Sequence, residues 1–296
     1  MIFFLEVLLS GLLAGVMYSL VAIGFVLILK ATGVFNFAQG AMVLFAALTF
    51  VCLLEKAIPL WAAFFITLAA MIMLAVAIER IVLRPLVGKP PIILFMATIG
   101  LAFFLEGLAQ GIWGADVHGL NIGIPDDPFE WLMNKGILIS QFDLVAAFIA
   151  AILVTVLVLF FHKTPTGTAL MAVSDDPEAA QSVGISLQWI WAITWSISGF
   201  VALVAGIMWG TRLGVQYSLT LIVLKALPVL ILGGFESIAG AIIAGLIIGA
   251  GEKLADVYIG PYVGGGLENF FPYLLAMVFL CFRPYGLFGR EVIERV

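Results

Sequence analysis

The sequence predicts an all-α integral membrane protein, a polytopic helical bundle of about 8–9 transmembrane segments, on three observations. Hydrophobic residues make up 64% of the 296 and charged residues only 10%, with a mean hydropathy of +1.23. A soluble domain carries about 25% charged residues to cover its surface, so this chain would leave far too much apolar surface in water. The apolar runs are roughly 20 residues long, the length of a bilayer-spanning helix. They also lack the short period-2 alternation of an outer-membrane barrel. In lipid every backbone N–H and C=O must be paired within the protein, and helices do this segment by segment.

Nine apolar segments follow in order: roughly 3–29, 34–54, 58–83, 91–114, 142–161, 188–210, 219–232, 237–254 and 262–282. The seventh and eighth are short and are separated by Gly233-Gly234-Phe235-Glu236-Ser237. The N-terminus is apolar without a Lys/Arg-rich start, and its first run is longer than a leader's core, so a cleaved signal peptide is not expected. Cys52 and Cys281 both fall inside apolar runs, which suits packing rather than a disulfide framework. The net charge of −5 comes without a basic patch, which argues against nucleic acid as a partner.

Orientation follows from Lys and Arg in the connections. One topology places Lys30, Arg80, Arg84, Lys89, Lys163, Arg283, Arg290 and Arg295 in the cytoplasm and Lys56, Lys135, Arg212 and Lys253 outside, eight against four. The N-terminus is then outside and the C-terminus inside. Two connections exceed what a turn needs. The external one, 115–141, carries Asp116, Asp126, Asp127 and Glu130, with Pro125, Pro128 and Trp131. It reads either as an ordered cap or as a docking surface for an external partner.

The cytoplasmic connection, 163–186, contains Asp176-Pro177-Glu178-Ala179-Ala180-Gln181 and Gly184. Asp176 is an N-cap and Pro177 fits the first helical position. Glu178 suits the positive end of the helix dipole, the alanines propagate a helix, and Gly184 supplies a left-handed end. The spacing predicts a two-turn helix over 177–183, which a loop does not need merely to connect two spans.

On this loop, with Gly167-Thr168-Ala169, Ala172-Val173 and Gly184-Ile185, the chain resembles the coupling loop of branched-chain amino acid (LIV-type) ABC permeases, relatives of the ribose-type permeases. Three further blocks resemble that family in the same order: Gly33-Val34-Phe35-Asn36-Phe37-Ala38-Gln39-Gly40, Thr98-Ile99-Gly100-Leu101, and Leu224-Lys225-Ala226 with Leu232-Gly233-Gly234 and Ser237-Ile238-Ala239-Gly240-Ala241. Gln39 stands where family members often carry His, leaving a neutral donor–acceptor in place of a titratable ring. The resemblance implies a single transmembrane permease domain over 1–296 in the bacterial inner membrane. It implies as partners a second homologous permease (heterodimer or homodimer), two ABC ATPase subunits and a periplasmic substrate-binding protein. Asp176, Pro177, Glu178, Ala179, Ala180 and Gly184 then form the ATPase coupling helix. No cofactor is expected in this chain: Gly88-Lys89 is followed by Pro90, so no Walker A sequence is present, and ATP and magnesium belong to the partner ATPases. An enzyme is not expected, since His118 and His162 are the only histidines and no HExxH or Ser/His/Asp set is present.

Phe35, Asn36, Phe37, Gln39, Glu106 and Gln110 are the candidate translocation-path residues. Asn36 and Gln39 share a face if helical, and buried amides need partners. Two readings fit them: lining the path, or bonding between packed helices. Phe35 and Phe37 suit a gate or ordinary packing. Glu106 and Gln110 lie one turn apart and either face the path or pair with a cation from elsewhere. Lys225 must snorkel or pair, and Trp189, Trp191, Trp195 and Trp209 read as interfacial anchors. Gly11 and Gly15, and Ala241, Gly245 and Gly249, are spaced for close helix contact. The recurrence of Gly33…Phe35…Gly40-Ala41 as Gly233…Phe235…Gly240-Ala241 reads either as a trace of duplication or as chance. The functional expectation is a permease subunit of an ATP-driven importer for amino acids or related small polar solutes. The alternative is a self-contained secondary transporter or channel, for which the spans offer few carboxylates. The pattern also resembles that of carriers of urea, short amides and aromatic acids, so the resemblance leaves the substrate open among these.

Overall fold

A computed structural model of the chain describes residues 2–133, 136 and 138–289. Each of the nine apolar segments is a helix. Six are long and apolar enough to cross a membrane: α1 (Ile2–Thr32), α3 (Leu60–Ala77, prolonged by a π-helical turn Ile78–Leu83 and a 3-10 turn Arg84–Leu86), α4 (Pro91–Trp113), α6 (Gln141–Lys163), α9 (Leu187–Leu213) and α11 (Ile238–Tyr258). Three are shorter: α2 (Gln39–Glu55), α10 (Ile222–Gly233, led in by the 3-10 turn Tyr217–Leu221) and α13 (Leu267–Phe282). At about 1.5 Å per residue, the 17 residues of α2 rise roughly 26 Å, less than the ~30 Å of a hydrocarbon core. The small helices α5 (Glu130–Met133), α7 (Pro165–Asp175), α8 (Pro177–Ser182) and α12 (Gly260–Val263) lie in the connections. Among the described residues no strand forms; His118 with Val215 and Pro128 with Ser140 make isolated antiparallel bridges.

The chain forms two compact units. One contains residues 27–122 and 155–223. Its central helix is α2, buried nearly all round, as a uniformly apolar helix requires. α2 packs on α9, α4 and α3, and α3 also packs on α9. Small residues permit this. A Cβ on Gly206 would lie 2.7 Å from the Val43 carbonyl oxygen, and one on Gly40 would lie 2.8 Å from that of Thr220. Of the four tryptophans of α9, Trp191, Trp195 and Trp209 are buried inside this unit and Trp189 is exposed. This corrects the anchor reading. The three recur at 191, 195 and 209 with Ser198, Ala202 and Gly206 between them, a 3.6-residue stripe that turns toward neighbouring helices. The faces of α3 and α4 that meet no helix carry Phe65, Met73, Met96, Phe103 and Phe104, side chains that lipid accepts and water does not.

The other unit contains residues 1–26, 123–154 and 224–296. Here α1 and α11 cross with their backbones almost touching: a Cβ on Gly11 would lie 2.7 Å from the Gly249 carbonyl oxygen, and one on Gly15 would lie 2.5 Å from that of Gly245. Ser19 Oγ donates to Gly15 O at 2.8 Å and to Ile242 O at 3.3 Å, adding a polar tie across the seam. The block Leu232-Gly233-Gly234 makes a turn that glycine alone can take. Gly234 has φ +97°, and a Cβ on Gly233 would lie 2.5 Å from the Gly240 carbonyl carbon. The segment after α13 returns to this turn, with Leu287 N–H donating to Leu232 O at 2.8 Å and Phe288 N–H to Gly233 O at 3.2 Å. Those bonds satisfy carbonyls that the end of α10 leaves free. The left-handed glycine is Gly33 before α2 but Gly234 before α11, so the two recurring Gly/Phe blocks are used one residue out of register.

Gly245→Leu should force α1 and α11 apart and destabilise the protein by about 1–3 kcal/mol, the cost of overpacking a filled contact. Lowered thermal stability of the detergent-solubilised protein would register it, and Ile247→Leu on the exposed side of α11 should leave stability unchanged.

Candidate functional site

Residues 164–186 form two helices. Thr164 caps α7, its Oγ1 accepting from Gly167 N at 3.0 Å, and Pro165 occupies the first helical position. Asp176 caps α8, its Oδ1 accepting from Glu178 N and Ala179 N, each at 3.0 Å. Gly184, at φ +89°, ends it. The sequence predicts α8 to within a residue, whereas α7 was not expected. Thr164-Pro165 carries the same cap-and-proline signal as Asp176-Pro177 and was open to the same reading. A Cβ on Gly167 would meet the Phe161 backbone at 2.6 Å, so α7 folds back closely on the end of α6. Ala180 is buried against the unit, while Pro177, Glu178, Ala179, Gln181, Ser182 and Val183 are exposed. The result is a small capped helix held by one buried alanine, with its other faces free.

The second candidate lies between α1 and α2. Asn36 shapes the turn: its Oδ1 accepts from Ala38 N at 3.0 Å, and its Nδ2 donates to Gln39 Oε1 at 3.2 Å. Ser198 Oγ, from α9, donates to the same oxygen at 2.8 Å. Asn36 and Gln39 are fully buried. The sequence marks Ser198 only as one of the small residues of the span after the loop, because only the packing of α9 on α2 brings it to Gln39. Phe37 is exposed and stacks edge-on with Phe95 at 4.8 Å and, tilted, with Phe35 at 4.7 Å. Thr98, in the third resemblance block, donates from Oγ1 to Phe35 O at 3.1 Å. On α4, Glu106 is half-buried and Gln110 exposed. No described Lys or Arg pairs with Glu106; its backbone carbonyl accepts the Tyr217 hydroxyl at 2.9 Å.

Residues 7–282 match the family described as branched-chain amino acid transport system, permease component. The chain belongs to this family. High-affinity branched-chain amino acid transport system permease protein BraD of Pseudomonas aeruginosa is 28% identical over 99% of this chain and 98% of its own length. LivH of Escherichia coli strain K12, a permease protein of the same description, is 26% identical over 100% of this chain and 98% of its own. Fructose import permease protein FruF of Bifidobacterium longum is 26% identical over 78% of this chain and 65% of its own. The family supports the expectation of a multi-pass membrane permease that is a transport subunit rather than an enzyme.

Within the permease, Gln39 has a particular consequence. One carbonyl oxygen accepts two hydrogen bonds, from Asn36 and Ser198, and a neutral imidazole nitrogen has a single lone pair to offer. Gln39→His should therefore leave one donor unpaired and cost about 1–2 kcal/mol. Combining it with Ser198→Ala should recover much of the loss, as a thermal double-mutant cycle would show.

Lys225 pairs rather than snorkels. Its Nζ lies 3.1 Å from Glu252 Oε1, which also accepts the Tyr18 hydroxyl at 3.1 Å. Its ammonium sits 5.9 Å from the Tyr18 ring centre. Glu252 is only 2% exposed, so the ion pair is the condition for its burial. The sequence does not reveal this pairing, because 27 residues and a helix-turn-helix separate the two charges. Lys225→Met should destabilise the permease by about 3 kcal/mol by stranding the carboxylate, and Lys225→Met with Glu252→Gln should restore most of that stability in thermal denaturation.

Proposed function

We propose that the permease is the membrane-spanning part of an ATP-driven importer for amino acids or related small polar solutes. A periplasmic binding protein delivers the solute, and two ABC ATPase subunits act on the cytoplasmic face. The observation that carries this reading is α8: a capped helix, exposed on all but its Ala180 side, presented by a loop that needs no helix to connect its ends. Such a knob fits a groove in a partner, and α7 folded against α6 gives its movement a lever into the membrane. Asp176, Pro177 and Gly184 fix its ends, Ala180 seats it, and Glu178 and Ala179 face the ATPase. A second homologous permease completes the pathway, as heterodimer or homodimer, in the bacterial inner membrane.

In this assignment the N-terminus faces outward and the C-terminus inward. Lys135, Arg290 and Arg295, which contribute to the charge count behind it, lie outside the described residues. Phe37, with Phe35, borders the path as a bulky apolar gate, and Asn36 and Gln39 hold it there from behind. Glu106 and Gln110 supply polar contacts on α4. Branched-chain amino acids are the first substrates to test, with urea, short amides and aromatic acids beside them. Glu106 is the one ionisable group among these path residues, and without a cation beside it the path does not match both charges of a zwitterion, which leaves selectivity to the binding protein.

Glu178→Trp, on the exposed side of α8, should lower ATP-dependent uptake at least about tenfold in proteoliposomes containing the full complex. Membrane insertion and thermal stability should be retained. Unchanged uptake by this variant would overturn the assignment of α8, and uptake without any ATPase subunit would favour a secondary transporter.

A further inference from the structure

The end of α2 and the loop after α4 bring together three side chains that neither the transport reading nor the helix packing uses. Cys52 and Glu55 are three apart on the last turn of α2, so they share one face. That turn is closed by Lys56 N–H to Cys52 O at 3.2 Å, Ala57 N–H to Leu54 O at 2.9 Å and Ile58 N–H to Leu53 O at 3.2 Å. Ala57, the only described non-glycine residue at positive φ (+57°), completes the reversal. His118 comes from a separate segment, held in register by two backbone bonds: its N–H to Val215 O at 3.0 Å, and Val215 N–H to its carbonyl at 2.8 Å. The His118 Nδ1 lies 2.8 Å from Glu55 Oε1. One ligand atom from each of Cys52, Glu55 and His118 lies within 4.8 Å of the other two. The other ring nitrogen of His118 is buried and has no hydrogen-bond partner among the described residues.

We propose that Cys52, Glu55 and His118 form a binding site for a zinc-class divalent metal ion. Sulfur, imidazole nitrogen and carboxylate oxygen are the donors such ions take, at about 2.0–2.3 Å each. Donors in a tetrahedral site stand roughly 3.3–3.8 Å apart, so the wider pairs close by up to about 1 Å while the Glu55–His118 pair, now at 2.8 Å, opens by about 0.5 Å. A thiolate and a carboxylate neutralise the dication, and binding releases the Cys52 thiol proton to solvent. Three protein ligands leave a fourth position for water. The sulfur donor disfavours calcium and magnesium, which take oxygen ligands. Bound metal would clip the loop around His118 to the end of α2, in place of the single Glu55–His118 contact.

Cobalt(II) titration of the full-length permease in detergent tests this directly. One equivalent should saturate a near-ultraviolet thiolate-to-cobalt charge-transfer band, and zinc should abolish that band by displacement. Cys52→Ser should remove it, His118→Gln should weaken cobalt binding at least about tenfold, and Cys281→Ser should leave it intact. Absence of the band from the unaltered protein, its survival in Cys52→Ser, or its loss in Cys281→Ser would overturn the site. The unaltered protein and the His118→Gln loop variant decide the matter even if Cys52→Ser fails to fold.

Discussion

A peptide group inside a bilayer has no water to bond to, and the architecture of this protein follows from that constraint. Helices satisfy it along each span. Once they do, the apolar side chains gain little by leaving lipid for one another, because lipid tails are as apolar as leucine. Association must then rest on close contact. α1 meets α11 at Gly11, Gly15, Gly245 and Gly249, and α2 meets α9 at Gly206, with backbones approaching to distances that no Cβ would permit. In each unit a glycine-lined seam holds helices whose outer faces remain as hydrophobic as their inner ones.

The same constraint decides what happens to polar side chains. Asn36 and Ser198 converge on the carbonyl of the buried Gln39, and Lys225 and Tyr18 on one oxygen of the buried Glu252 carboxylate. Each cluster ties together segments far apart in sequence: Ser198 lies 159 residues from Gln39, and Tyr18 lies 234 from Glu252. Directional bonds of this kind set the rotation of one helix against another, which glycine contacts alone leave free to slide. Seam and cluster therefore have different physical tasks, closeness from the first and register from the second.

What was legible in the sequence divides along the same line. Spans, loop lengths and the Asp176 cap are local properties, and each is found as expected. α7 was legible too, since Thr164-Pro165 repeats the signature that marks α8. The burial of Trp191, Trp195 and Trp209 is legible in their helical spacing, which outweighs the habit of tryptophan to sit at interfaces. Ser198 and Glu252 could not have been read in this way. Both are defined by partners across the fold, and nothing near them in the chain names those partners. Family resemblance recovered the blocks around Gly33 and Gly233 without explaining them. The structure supplies the reason for the second: the left-handed Gly234 and the tight approach of Gly233 to Gly240.

The polar clusters also bear on how a solute could pass. A residue that binds solute needs free hydrogen-bonding capacity facing an open space, and the fully buried Asn36 spends its amide on neighbours. Phe37, exposed and stacked on Phe95, offers bulk and an apolar face instead. A path bounded by such a side chain favours transit over retention. It excludes solute when closed by filling space, and it holds nothing tightly when open because it offers few directed bonds. In the importer proposed above, discrimination then falls to the binding protein and force to the partner ATPases. An exposed, capped helix such as α8, anchored through one small side chain, is a suitable point for that force to enter, because it can be gripped without disturbing the packing behind it.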